Sequence, residues 1–227
     1  MLISVIVPVL DEAAALPATL AHLARALDRH PDTEVIAVDG GSHDATLRVL
    51  AAAAWVRCIA APRGRAQQQN AGAAVAQGEV LLFLHADTWL PPEALRSVAA
   101  AARMPEFHYG GFHHRFSGED WRLRAISALH NFRCRKASTF YGDQALFVRR
   151  TTFMQLNGFP ERTAEDIALC QRLKAMATPV FLADTVVTSS RKFERMGIWR
   201  SFGRVLAILL CLRLGRTPPR AFFADIR

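Results

Sequence analysis

Cysteine is scarce and scattered. Cys58, Cys134, Cys170 and Cys211 are the four in 227 residues, and none lies near another. No Cys-x-x-Cys occurs, which excludes a zinc ribbon or disulfide scaffold as the organising device and points to a reducing, cytoplasmic setting. Long apolar runs are lacking as well. The most apolar stretch, Val205 to Leu212, sits between Arg204 and Arg213 and falls far short of the ~20 residues of a membrane span. No basic segment precedes the first apolar run, and Pro8, Asp11 and Glu12 follow it closely; no secretory leader is expected. Gly-x-Gly-x-x-Gly and Gly-Lys-Ser/Thr are both missing, so neither a dinucleotide fingerprint nor a Walker loop is available. Internal repeats and low-complexity linkers are absent too.

What is present resembles ordinary globular usage: 51% hydrophobic and 21% charged residues. A chain of this size buries about 70% of its unfolded surface and needs no staple. The net charge is +8, but it is not spread evenly. Residues 191–227 hold nine basic and two acidic groups, a net +7 that leaves +1 for the first 190 residues. A near-neutral body with a basic tail argues against a protein that is basic on every face, as a nucleic-acid binder would be. It argues for a local anionic partner of the tail.

The first half alternates strand and helix signals. Leu2 to Val9 is β-branched and almost wholly apolar, as in a strand buried on both faces. Leu16, Leu20, Leu23 and Leu27 then recur at helical spacing. Further strands are expected at Glu34 to Val38, Trp55 to Ala60 and Glu79 to His85. Helices are expected over about 44–54, over Gly64 to Gln77, and after Pro91-Pro92. This order predicts an α/β fold with a mostly parallel central sheet and ligands beyond the carboxyl ends of its strands. Asp11-Glu12, Asp39 to Asp44 and His85-Ala86-Asp87 all fall at such ends. In the second half, a strand is expected over Glu106 to Phe116, a basic helix over 119–135, a short strand over Ala145 to Val148, a helix after Glu165-Asp166, and a closing helix over 195–214. One domain spanning 1–227 is expected, with a nucleotide half to about 104, an acceptor half over about 105–190, and the tail.

Three constellations carry chemistry. Asp39-Gly40-Gly41-Ser42-x-Asp44-x-Thr46 lets backbone approach a ligand and offers helix amides to an anion, or is an ordinary strand-to-helix turn. Asp87 in His85-Ala86-Asp87-Thr88 projects from a strand end, where a carboxylate can hold Mg²⁺ or Mn²⁺ against a diphosphate or simply cap the next helix. Glu165-Asp166 opens a helix, where acids are favoured by the dipole, and offers a candidate general base. Gly142-Asp143-Gln144 is a polar loop that either faces a second substrate or is a plain turn. His108 and His113-His114 read as structural histidines, because neighbours on a strand point to opposite faces.

Taken in order, Ile6 to Glu12, Val38 to Thr46, Arg63-Gly64-x-Ala66 with Asn70-x-Gly72, His85-Ala86-Asp87, Gly158-Phe159-Pro160 and Glu165-Asp166 resemble the motif series of family 2 glycosyltransferases. The tail from Arg191 through Trp199-Arg200 is similar to that of small bacterial members without membrane spans. The resemblance implies a GT-A fold and inverting transfer from a nucleotide-diphospho-sugar, with a UDP-sugar as the expected donor. It further implies that Pro8 and Glu12 line the nucleoside site, that Asp39 with Gly40 meets the base, and that Arg63 approaches base or diphosphate. Asp87 would hold a divalent metal, Mn²⁺ or Mg²⁺, and Asp166 would be the catalytic base with Glu165 beside it. Gly142, Asp143, Gln144 and Trp199 are the acceptor-side candidates. The family's Asp-x-Asp begins here with His85, which cannot supply the first negative charge and is expected to contact ribose or a metal instead.

The tail has two readings. Leucines flanked by arginines suit peripheral contact with the anionic inner face of a membrane and a lipid-linked hydroxyl acceptor; they suit a packing helix equally. The rival functions are a non-catalytic nucleotide- or lipid-binding module, and a sugar-phosphate nucleotidyltransferase that would release pyrophosphate.

Overall fold

The β-branched run after Leu2 forms β1 (Ile3–Val9), which packs on both faces. Ile3, Val5, Val7 and Val9 join one apolar cluster and Ile6 joins another on the opposite side, the period-two split of a strand between two layers. Beside it lie β2 (Thr33–Asp39) and β4 (Val80–Phe83), both parallel, and β3 (Val56–Ala60) extends the sheet parallel to β2. The computed structural model describes residues 1–161 and 164–214. Of the basic tail, Arg216, Arg220, Arg227 and the side chain of Leu212 lie outside the described residues.

The connecting helices are α1 (Leu16–Arg29), α2 (Thr46–Ala51), α3 (Arg65–Val75) and α4 (Ala94–Ala102). The leucine stripe of α1 works as its spacing predicts: Leu16, Leu20 and Leu23 are buried. The second half supplies β5 (Thr88–Trp89), β6 (Tyr109–Phe116), β7 (Phe147–Arg149) and β8 (Val180–Thr188). The sheet order is β3-β2-β1-β4-β7-β6-β8-β5. β7 runs antiparallel to β4 and β6, whereas β6 and β8 are parallel. Mostly parallel, as expected, the sheet thus carries an antiparallel insertion.

Helices α5 (Trp121–Ala137), α6 (Arg150–Gln155), α7 (Glu165–Lys174), α8 (Arg191–Met196) and α9 (Ile198–Arg213) complete the described elements. Asp120 caps α5 by accepting from the Arg122 amide at 2.8 Å. Strand β8 has no counterpart among the expected strands. Most of its side chains are only half-buried, so it lacks the apolar run that marks a central strand. The single closing helix expected over 195–214 is two, broken at Gly197 with φ +87°.

Candidate active site

The loops after β1 and β2 are tied together by their own carboxylates. Asp11 accepts from the His43 amide at 2.7 Å, and Asp44 accepts from Ala13 at 3.0 Å and Thr46 at 2.8 Å. Asp39 turns its carboxylate back onto the Gly41 and Ser42 amides and the Ser42 hydroxyl. Beneath them, buried Gln68 of α3 donates to the carbonyls of Val9 and Val38, both at 2.8 Å. Those are the last or next-to-last carbonyls of two adjacent parallel strands; the Val9 carbonyl also accepts from the Gly40 amide at 3.0 Å, and the Gln68 amide adds a second donor that ties both strand ends to α3. Gly40 lies against this amide; a Cβ there would stand 3.0 Å from it.

A cavity of about 230 Å³ opens beyond the end of β4, between α5, α8 and α9. Asp87, His85, Arg65, Asp143, Asp166 and Lys192 line its polar side, and Phe116, Ile126, Leu129, Phe193 and Phe202 its apolar side. The segment after β4 is clamped at three points: the Leu84 amide donates to the Ile6 carbonyl, the Thr19 hydroxyl to the Ala86 carbonyl, and the Ser189 amide to the Asp87 carbonyl. Asp87 is thereby aimed inward. Its Oδ2 lies 3.4 Å from Lys192 Nζ, which also sits 3.2 Å from Glu12 Oε1.

A short 3-10 turn, Gly142–Gln144, delivers the opposite wall. Gln144 is buried and donates to the Phe112 carbonyl at 3.1 Å, anchoring the turn to β6. The Gly142 amide then donates to Asp166 Oδ2 at 2.8 Å, and the Ile167 amide donates to Oδ1 at 2.8 Å. Glycine is required at 142: a Cβ would stand 2.1 Å from His85 Nε2. His85, the turn and Asp166 are therefore in direct succession across the cavity. Arg65, at the first position of α3, pairs with Glu165 at 3.6 Å.

Burial and charge set the protonation states. Burial, then the Glu165 charge, pushes Asp166 up to about 6 against the opposing effects of Arg65 and the two amides. Burial, helped by the Arg65 charge, pulls His85 down to about 4, so the ring is neutral at physiological pH. Asp143 lies 3.4 Å from His130 Nε2 and 3.6 Å from His114 Nε2. Burial alone would raise Asp143, but the charge of His130, with His114, holds it far below the usual carboxylate range.

Of the sequence-predicted groups, His85, Asp87, Gly142, Asp143 and Asp166 share one cavity, and Glu165 stands behind it on Arg65. Glu12 reaches it through Lys192. Pro8, Asp39 and Gly40 stay at the strand ends of β1 and β2, and Arg63 is exposed; none of these lines the cavity. Trp199 is 54% exposed and meets Trp121 and Phe202 edge-on at 6.3 Å each. His114, read as structural, lies on the cavity wall with Asp143. Sequence reasoning missed Arg65, His130 and Lys192. Arg65 had one usable signal, its place at a helix start beyond a strand; Lys192 and His130 had none, because only the chain path brings α8 and α5 here.

Comparison with known proteins gives a consistent picture. The model of the family described as Glycosyl transferase family 2 matches residues 4–157. An undecaprenyl-phosphate 4-deoxy-4-formamido-L-arabinose transferase of Aeromonas hydrophila is 30% identical over a 190-residue alignment that covers 72% of this chain and 58% of the relative. The chain thus spans little more than half of that relative. Among solved structures, S. aureus TarS 1–349 in complex with UDP-GlcNAc aligns with a TM-score of 0.65 at 20% identity, covering 83% of this chain and 58% of that one. The mannosyltransferase PcManGT of Pyrobaculum calidifontis, in complex with GDP-Man and Mn²⁺, aligns with a TM-score of 0.66 at 20% identity, covering 99% and 67%. The fold shared with these glycosyltransferases is the GT-A arrangement.

Proposed function

The chain belongs to glycosyl transferase family 2, and from that membership we propose that it transfers a sugar, with inversion, from a UDP-sugar to a hydroxyl acceptor, with Asp166 as general base. One observation carries the reading. Asp166 from α7 and Asp87 from the end of β4, 79 positions apart in sequence, face the same cavity. In the proposed step the acceptor oxygen attacks the anomeric carbon while its proton passes to the Asp166 carboxylate. The bond from that carbon to the diphosphate oxygen breaks, and the nucleoside diphosphate leaves. A carboxylate raised to about 6 by burial suits the task, since it is ionised at neutral pH yet more basic than an ordinary aspartate. Arg65 and Lys192 offer positive charge to the departing phosphates.

The nucleoside is assigned to the strand ends at Pro8, Glu12, Asp39 and Gly40, with Arg63 at the rim. Asp87 suits a divalent ion, Mn²⁺ or Mg²⁺: the Lys192 ammonium on its Oδ2 stands in for a cation, and His85 Nε2 beside it is buried without a partner. Such an ion would add positive charge against the diphosphate. Gly142 and Asp143 face the acceptor space, Gln144 fixes their turn, and Trp199 flanks its apolar end. The name of the Aeromonas relative supports a lipid-linked partner. So does α9, which exposes Trp199, Leu206 and Leu210 along one face among arginines; that face is assigned to peripheral contact with an anionic membrane. No described helix is long and apolar enough to cross a membrane.

Calorimetry over a panel of nucleotide-sugars, with and without Mn²⁺, tests the donor. A UDP-sugar should bind and, with acceptor, release UDP; failure of every nucleotide-sugar to bind removes the reading. Release of pyrophosphate from a nucleoside triphosphate and a sugar phosphate would favour the nucleotidyltransferase instead.

A further inference from the structure

The cavity wall holds three side chains to which the transfer step gives no part in bond making or proton transfer. His114 comes from β6, His130 from α5 and Asp143 from the 3-10 turn. Their ligand-type atoms all lie within 4.8 Å of one another. The spacing is informative. His130 Nε2 to Asp143 Oδ1 is 3.4 Å and His114 Nε2 to Asp143 Oδ2 is 3.6 Å, longer than the 2.7–3.2 Å or so of an N–H···O hydrogen bond. A tetrahedral ion with bonds of about 2.1 Å separates its ligand atoms by roughly 3.4 Å. The polar atoms are also unsatisfied: both nitrogens of His114 and Oδ1 of Asp143 are buried with no hydrogen-bond partner, and His114 is only 2% exposed. Buried groups left in this state cost stability unless something binds them.

We propose that His114, His130 and Asp143 form a binding site for a divalent transition-metal ion of the Zn²⁺ type, distinct from any ion at Asp87. Two imidazoles and one carboxylate are a borderline-soft donor set, unlike the all-oxygen set that Mg²⁺ prefers. All three residues line the cavity, so the ion keeps an open position for an oxygen of whatever enters. The site does not depend on the transfer reading, and its ion binds whether or not a sugar donor does.

The neighbouring cation fixes how binding must proceed. Arg133 Nη2 lies 3.1 Å from His130 Nδ1. A guanidinium can only donate, and a ring bound to an ion through Nε2 keeps its hydrogen on Nδ1, facing that guanidinium. Metal binding at Nε2 displaces any hydrogen there, and the hydrogen on Nδ1 then needs an acceptor. Arg133 must turn away, and it opposes the ion by charge. Arg133→Gln supplies an acceptor and removes the charge, so it should tighten the site.

The test is titration of the metal-stripped full chain with Zn²⁺ and with Co²⁺, read by calorimetry and by the visible absorption of low-coordinate Co²⁺, with no nucleotide present. The wild type should take up one ion at this site. His114→Gln and Asp143→Asn should weaken binding more than about tenfold, and Arg133→Gln should strengthen it about tenfold. Asp87→Asn should leave it unchanged. Circular dichroism checks that each variant is folded, and Arg133→Gln, being a predicted gain, cannot be mimicked by misfolding. Absence of Co²⁺ bands in both the wild type and Arg133→Gln overturns the proposal, as does an ion lost in Asp87→Asn and kept in His114→Gln. Either outcome leaves donor binding, measured separately with nucleotide-sugars, to be judged on its own.

Discussion

Replacing Asp166 by Asn should remove turnover and at the same time make the protein more stable at pH 8. The carboxyl is raised from 3.8 to about 6, with burial first and the Glu165 charge second. At 1.36 kcal/mol per decade, holding it ionised costs roughly 3 kcal/mol. Asparagine carries no charge and lifts that cost. It has one carbonyl where the carboxylate accepts from two amides, Gly142 and Ile167, so one hydrogen bond is lost, worth about 1 kcal/mol. The net gain is about 2 kcal/mol, or about 4–8 °C in Tm for a chain of this size. The pH sign follows from the direction of the shift. A carboxyl raised in the fold contributes stability that is fully present below 3.8 and is lost as pH rises through about 6. The advantage of the Asp166→Asn variant therefore builds up as pH rises from about 4 to about 6, is complete above about 6, and is absent below about 4. Calorimetric or fluorescence melts at about pH 4.5 and 8 read this, while stopped assays should show kcat lower by about 10²–10⁴ with donor affinity nearly unchanged. A Tm gain equal at both pH values, or a loss at pH 8, would refute the burial argument; full activity would refute the general-base assignment.

The wild-type kcat/KM should fall tenfold per pH unit below about 6, as protonation removes the base; a flat profile from pH 5 to 8 contradicts it. Gly142→Ala places a methyl 2.1 Å from His85 Nε2 and should destabilise by about 1–3 kcal/mol and lower kcat more than tenfold or so. In a double-mutant cycle, Gly142→Ala should cost much less stability in a His85→Ala background, and equal costs in both backgrounds would show the clash is not real. Gln68→Ala strips the shared donor from the Val9 and Val38 carbonyls and should cost about 2–4 kcal/mol in urea melts; a cost under about 0.5 kcal/mol would mean water replaces it. Leu206→Glu with Leu210→Glu, on exposed positions of α9, should cut co-sedimentation with anionic vesicles several-fold while leaving Tm within about 2 °C; undiminished binding would remove the membrane contact.

The comparison between chain and fold has a physical pattern. The parallel half was legible because its strands are buried on both faces. Residues 3–9, 35–38 and 80–83 had to be apolar nearly throughout, and the loops at their ends had to carry the polar chemistry. Asp87 and Asp166 could be singled out because a carboxylate at a strand end or helix start stands out locally. The pairings β6–β8 and β5–β8 were hidden because they join segments about 70 to 100 residues apart and because β8 is mostly half-buried. Arg63 and Arg65 show the limit of motif reading. Both are basic and two positions apart, but only the second, inside the first turn of α3, is turned toward the cavity.

By itself, then, the sequence determined what local physics can express: the order of strands and helices in the first half, the strand-end loops, and the acidic groups with the chemistry to act. The tertiary structure alone decided that Lys192 lies on Asp87 and Glu12, that His114 and His130 converge on Asp143, and that Asp166 is buried far enough to be raised to about 6. These are properties of distance and desolvation between residues remote in the chain, and no periodicity or spacing in the sequence encodes them.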